Sequence, residues 1–236
     1  MTQRMRPWRL PMGVAVITLV TAACSASPSL TPGSSVARPT ASASTTAEQV
    51  LNGQTSLAAG RYQVDPTLLM TVTVAVPAGW GAGGNWVVTG PKGHDAPNGM
   101  AIRFYQAVNM FMHPLVPADG VISPPVGPSV DDLVSAMVNH PDWTVTGHSA
   151  ITMDGYSGQV VHVTLPAGTS DGTPFNLFGD ADGPQEWGWA AGQLFDIYVV
   201  DVGGERLVVD AFHYPGTSAD DVAAQSTVID SIKLTP

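Results

Sequence analysis

Two hydrophobic periods run through this chain. Over residues 69–76 threonine alternates with apolar side chains, so Met70, Val72, Val74 and Val76 share one face. A period of two predicts a half-buried strand. Residues 60–64, 86–89, 100–106, 143–148 and 159–165 read as further strands, separated by Gly- and Pro-rich stretches. Residues 194–202 and 206–214 are β-rich runs joined around Gly203-Gly204, which predicts a tight hairpin. Asp154-Gly155 and Ser157-Gly158 predict two more tight turns.

The period changes to 3.6 in two places. After Ser129, the residues Val130, Leu133, Val134, Met137 and Val138 form one apolar face. Ser129 suits an N-cap, Asp131 and Asp132 suit the positive end of the helix dipole, and Pro141 ends the run. Ser218, Asp220 and Asp221 open a second helix, whose face is Val222, Gln225, Val228, Ile229 and Ile232. Residues 109–128 read as a proline-rich crossing and residues 166–192 as a long loop. Strands, a helix, strands and a helix make an α+β class with a largely antiparallel sheet flanked by helices.

The first fifty-six residues follow a different rule. Arg4, Arg6 and Arg9 precede an apolar run over 10–23. That run is shorter than the roughly 20 residues a spanning helix needs, and it reads as a signal peptide. Leu19-Val20-Thr21-Ala22-Ala23-Cys24 resembles a lipobox, with cleavage before Cys24 and lipid on its sulfur. Residues 1–23 are then the signal peptide, residues 24–56 a lipidated cysteine and a disordered Ser/Thr/Ala/Pro tether, and residues 57–236 a single domain. Each acyl CH₂ contributes about 0.8 kcal/mol, so two or three chains anchor firmly. The expected place is the outer face of the cell membrane, towards the cell wall or periplasm. Cys24 is the sole cysteine, so the domain holds no disulfide of its own.

Charge narrows the list of partners. The whole chain carries −10. Without Arg4, Arg6 and Arg9, six basic residues face nineteen acidic ones, a net −13. Such a surface excludes nucleic acid as a partner and disfavours lying flat on anionic lipid. It leaves cationic partners, divalent metals or simple solubility.

Four segments carry a resemblance: VPAGW (76–80), PSVDDLVSAMVNHP (128–141), MDGYSGQVVHVTLP (153–166) and YPGTSADDVAAQSTVIDSIKL (214–234). In these the chain resembles a group of actinobacterial lipoproteins. More remotely, its layout is similar to the PsbP-like α/β/α sandwich, which includes the LpqN-type lipoproteins. The resemblance implies a binding or accessory protein of the envelope and supplies no catalytic residue.

Candidate chemistry is sparse. Gly155-Tyr156-Ser157-Gly158 is one residue short of the G-x-S-x-G nucleophile elbow. The six histidines, at 94, 113, 140, 148, 162 and 213, form no H-E-x-x-H pair. Asp180-Ala181-Asp182-Gly183 is similar to the start of a calcium loop, although Glu186 comes too early for its distal ligand. No cofactor is expected beyond a divalent cation such as calcium at Asp180 and Asp182. The 166–192 loop also carries Phe175, Phe178, Trp187 and Trp189. These four either form a surface for a small molecule, a glycan or an envelope protein, or fold back to cap the core. Trp80 and Trp86 flank a Gly-rich turn and belong either to that surface or to the core. Three functions remain open: a non-catalytic binding or accessory module, a metal-assisted envelope hydrolase using Asp180 and Asp182, and a purely structural envelope component.

Overall fold

The computed structural model describes residues 49–65, 67–84, 87–107, 109–170, 172–180 and 183–236. Cys24, the signal peptide and most of the expected tether lie outside the described residues, as do Trp86, Asp171 and Asp182.

The central element is a seven-stranded sheet, entirely antiparallel. Its strands in chain order are β4 (Gly81–Ala82), β5 (Val87–Thr89), β6 (Met100–Tyr105), β8 (Thr144–Met153), β9 (Tyr156–Thr164), β12 (Leu194–Val202) and β13 (Glu205–His213). They lie side by side in the order β4-β5-β6-β13-β12-β9-β8. Helix α1 (Val130–Asn139) packs on one face and helix α2 (Ala219–Asp230) on the other, each with its own apolar core. This is an α+β fold of antiparallel sheets and two helices.

A four-stranded sheet shares the α2 side. It contains β1 (Gln49–Val50), β2 (Gly60–Gln63), β3 (Thr71–Val76) and β14 (Lys233–Thr235). On β3 the alternating side chains Val72, Val74 and Val76 are buried. On α2 the polar member of the apolar face, Gln225, is buried because its amide donates to the carbonyls of Ala101 and Phe212, both at 2.9 Å.

The α1 side carries a three-stranded sheet that corrects the expected long loop. β10 (Phe175–Asp180) and β11 (Gly183–Gly188) form a hairpin, and β10 also pairs with β7 (Asn109–Met110). The register shifts at Asn176/Phe178 and Phe178/Gly179 break the alternation that would mark a strand in the sequence.

Two further expectations are corrected. The folded chain starts before residue 57: β1 pairs in parallel with β2, and the Leu51 N–H donates to the Gln63 carbonyl at 3.0 Å. Leu51 is 0 % exposed. Two residues of strand carry no periodicity, so the pattern alone could not mark them. Ser157-Gly158 is no turn but lies inside β9. Gly158 is needed there because a Cβ would sit 2.4 Å from the Val199 carbonyl oxygen of the neighbouring strand. The turn is Asp154-Gly155, both at positive φ (49° and 87°), as a primed two-residue turn requires. The Asp154 carboxylate accepts from Lys233 Nζ at 2.6 Å and Leu234 N at 2.8 Å, which ties this turn to β14. No helix among the described residues is long and apolar enough to cross a membrane.

Candidate functional site

A groove lies beside the N-terminus of helix α1. Ser129 caps the helix: its hydroxyl accepts from Asp132 N at 3.1 Å, and the Asp132 carboxylate accepts from Ser129 N at 3.1 Å. The Ser129 hydroxyl also donates to the Asp132 carboxylate at 2.7 Å, and this bond, together with that from Ser129 N, holds the Asp132 carboxyl below its usual range. The groove encloses about 560 Å³. Its helix wall is Pro128 to Asp131, and its floor is Ala150 on β8 with Ser157, Gly158 and Gln159 on β9. The β12–β13 turn closes it with Asp201, Gly204, Glu205 and Arg206.

Arg206 shapes this wall. Its guanidinium donates to the carbonyls of Gly127 (2.6 Å), Ser129 (3.0 Å) and Ala107 (2.8 Å), pinning the chain before α1 to the sheet. Its Nε is buried without a hydrogen-bond partner. Burial lowers its pKa, and Asp132 opposes that shift. Across the groove the Gln159 amide donates to Asp131 at 2.7 Å. Asp131, Asp201, Glu205 and Arg206 are thus the charged residues that line the groove, with Ser157 and Gln159 as further polar ones.

A second polar centre lies under the β10–β11 hairpin. Arg103 on β6 stands opposite Asp210 on β13 in register. Arg103 Nε donates to Asp210 Oδ1 at 2.8 Å and Tyr105 Oη donates to Asp210 Oδ2 at 2.9 Å. Glu186 on β11 closes on Arg103 Nη1 from above, and the same nitrogen donates to the Trp187 carbonyl at 3.1 Å. The guanidinium also covers the rings of Phe212 (4.7 Å) and Phe195 (5.6 Å). Glu186 is 2 % exposed and Asp210 is 0 % exposed.

The electrostatics follow from burial. Desolvation pushes the Glu186 carboxyl up to about 8; Arg103 opposes this and Asp210 adds to it. For Arg103, burial works downward, but Asp210 and then Glu186 prevail and raise it. Burial, with Asp210 and Glu186 behind it, raises the Tyr105 hydroxyl. Glu186 Oε2 and Arg103 Nη2 are buried without hydrogen-bond partners. A cavity of about 230 Å³ adjoins this centre, with Glu186, Tyr105, Gln106 and Gln185 among its walls.

The residues singled out from the sequence divide. Trp187 and Trp189 come together: their rings meet edge to face at 5.7 Å and 85°, half-buried. Gly188 between them has no room for a Cβ, which would lie 2.2 Å from Leu165 Cδ1, so the backbone presses onto the core there. Of the two readings left open for Phe175 and Phe178, binding surface or core cap, the structure places both in the core. Both are 0 % exposed and pack on Trp143 at 5.8 and 5.7 Å. Trp80 is buried in the α2-side core. The acidic turn at Asp180 and Asp182 falls on residues outside the described ones, apart from the place of Asp180 at the end of β10. Among the described residues no group of three or more His, Cys, Asp or Glu comes together to hold a metal ion. The histidines sit apart: His162 Nδ1 lies 2.6 Å from Asp196 Oδ1, His113 Nδ1 lies 3.0 Å from Asp142 Oδ2, and His140 is buried against the Phe111 carbonyl.

Sequence reasoning missed the Arg103 centre. The available signal was one charge in the middle of each of two apolar strands, MAIRFY and LVVDAF, with opposite signs.

No family model matches the chain, and no curated protein matches it. Among solved structures it is similar to LpqN of Mycobacterium tuberculosis, described as involved in cell envelope biogenesis. The identity is 13 %, over 76 % of this chain and 93 % of that one, with a TM-score of 0.40. It is also similar to the cyanobacterial PsbP of Synechocystis sp. PCC 6803, at 15 % identity over 75 % of this chain and 94 % of that one, with a TM-score of 0.36. Both likenesses are remote and concern the layout of strands and helices.

Proposed function

We propose that this chain is a lipid-anchored binding module of the cell envelope, held to the outer face of the membrane through Cys24, with no catalytic role. The observation that carries the binding part is the groove beside α1. Its volume of about 560 Å³ falls inside the ~300–1,000 Å³ usual for small-molecule sites. Three carboxylates, one guanidinium and the hydrogen-bonding side chains of Ser157 and Gln159 fit a small polar ligand, neutral or cationic. The anchoring part is supported by the positive start, the short apolar run and the small residues before Cys24.

The groove takes precedence over the tryptophan pair. Trp187 and Trp189 spend ring surface on each other, and the two phenylalanines expected beside them are in the core. The test uses the full chain, purified in mild detergent without chelator from an exporting host and examined by native mass spectrometry. Wild type should retain a small mass that Ala150→Trp has lost, since Ala150 is an exposed floor residue and a tryptophan there fills the groove. Equal retention by both proteins would remove the groove from the function.

A further inference from the structure

Strand β8 is the open edge of the seven-stranded sheet: among the described residues it has a neighbour, β9, on one side only. The opposite edge is shielded. There β4 has two residues, both buried, and Ala82 N donates to the Gln54 carbonyl at 2.7 Å. β8 runs for ten residues, TVTGHSAITM, without a lysine, arginine, carboxylate or proline. Charged residues and proline are the usual guards of a sheet edge. The one irregularity is a bulge between Val145 and Gly147, which leaves residues 148–152 in regular register with β9. His148, Ser149, Ala150 and Thr152 are exposed.

The register fixes which backbone groups are free. Met153 and Tyr156 flank the two-residue turn Asp154-Gly155 and form the hydrogen-bonded pair that closes the hairpin. Bonded and non-bonded pairs then alternate. Ile151 and Ser149 bond to β9, whereas His148, Ala150 and Thr152 turn their N–H and C=O groups outward. Cavities flank this stretch on both faces of the sheet. On the α1 face Ala150 belongs to the groove. On the α2 face Ile151 borders a smaller cavity of about 210 Å³, with Tyr198, Ile229, Asp230 and Ile232 among its walls.

We propose that the β8 edge docks an extended peptide segment, which joins the sheet as an eighth, antiparallel strand. Its basic side chains lie on the groove face and alternate with apolar ones on the α2 face. In this mode of recognition main-chain hydrogen bonds supply affinity and pockets for alternate side chains supply selectivity. Charge selects the basic residues. Asp131, Asp201 and Glu205 line the groove, and among the described residues none of them is in an ion pair. Arg206, the cation beside them, is committed to three backbone carbonyls. A residue opposite Ala150 in the added strand shares its face. The small Ala150 side chain leaves the way open for a lysine to cross it towards Asp131, which is held at Gln159 on the next strand. The added strand lies two spacings from β9, about 10 Å. Its following residue, opposite Ile151, falls on the other face against the smaller, more apolar cavity. The choice of basic side chains rests on the groove being a ligand site; the backbone pairing does not.

The test titrates the full chain, ¹⁵N-labelled and in nonionic detergent, with the peptide acetyl-Thr-Lys-Val-Lys-Val-Thr-amide. The amide signals of His148, Ala150 and Thr152 should shift saturably, and their exchange with deuterium should slow at least ~tenfold. Ser149 and Ile151, already bonded to β9, should stay protected throughout. Acetyl-Thr-Glu-Val-Glu-Val-Thr-amide should bind at least ~tenfold more weakly, as should acetyl-Thr-Lys-Lys-Val-Val-Thr-amide, which has the same composition without the alternation. N-methylation of both lysine amides removes donors to β8 and should abolish binding; N-methylation of both valine amides, which face away, should not. Ala150→Trp should erase the preference for lysine over glutamate and keep the deuterium protection. Protection in wild type without a preference for lysine would overturn the part that rests on the groove and uphold the edge pairing. No saturable protection, or binding indifferent to which amides are methylated, would overturn the proposal as a whole. So would protection of the three amides in a peptide-free dimer, which would make a second copy of this chain the occupant.

Discussion

Replacing Glu186 by glutamine should flatten the dependence of stability on pH between about 4.5 and 8. In the folded protein the Glu186 carboxyl keeps its proton up to about pH 8, against 4.5 for the side chain in water. Between those values the folded state binds more protons than the unfolded one. Stability from this group is therefore complete below pH 4.5 and is lost as pH rises through 8. Each pH unit within the window costs about 1.4 kcal/mol, so the interval from 4.5 to about 8 amounts to about 5 kcal/mol at most. Glutamine is neutral throughout and keeps an acceptor for Arg103 and for the Trp187 N–H, so its stability should not follow that slope. The assay is urea unfolding of both proteins at half-unit steps from pH 4.5 to 8.5, read as the difference in free energy. Asp132, Asp154 and Asp221 have lowered pKa values and lose their contributions only at more acid pH. They are common to both proteins and cancel in the difference. A difference curve that stays level across the window would refute the assignment of a buried, proton-holding Glu186.

Two further outcomes are expected. Leu51→Ala should cost about 2–5 kcal/mol by chemical denaturation, the range for emptying a fully buried leucine site; a neutral effect would return residues 49–56 to the tether. Cys24→Ala should move the protein from the membrane pellet to the soluble fraction of the exporting host, whereas unchanged pelleting would mean that something other than lipid on Cys24 holds it.

The helices and tight turns were legible in the sequence because their chemistry is local. Ser129 with Asp132, and Ser218 with Asp221, form their caps across three residues. Asp154-Gly155 and Gly203-Gly204 turn the chain through their own positive φ angles. The buried face of β3 follows from a period of two within six residues. What depends on distant partners was not legible. In the sequence Phe175 and Phe178 fit either a loop surface or a core cap, because shifts in the β10–β11 register hide the alternation that buries them. Leu51 looked like tether because its partner is the backbone of Gln63, in a parallel pairing that two residues cannot announce.

The candidate sites lie furthest from local rules. Arg103 and Asp210 are separated by 107 positions, and the register of β6 on β13 alone sets them side by side. Glu186 joins them from a third strand whose position depends on how the hairpin folds over the sheet. The groove beside the start of α1 has walls from four segments far apart in the chain. Local hydrogen bonds and periodicity determined the elements of this protein. Burial determined its chemistry: a carboxylate reads as an ordinary surface charge in sequence, and only removal from water, beside one guanidinium shared with a second carboxylate, raises the pH at which it gives up its proton.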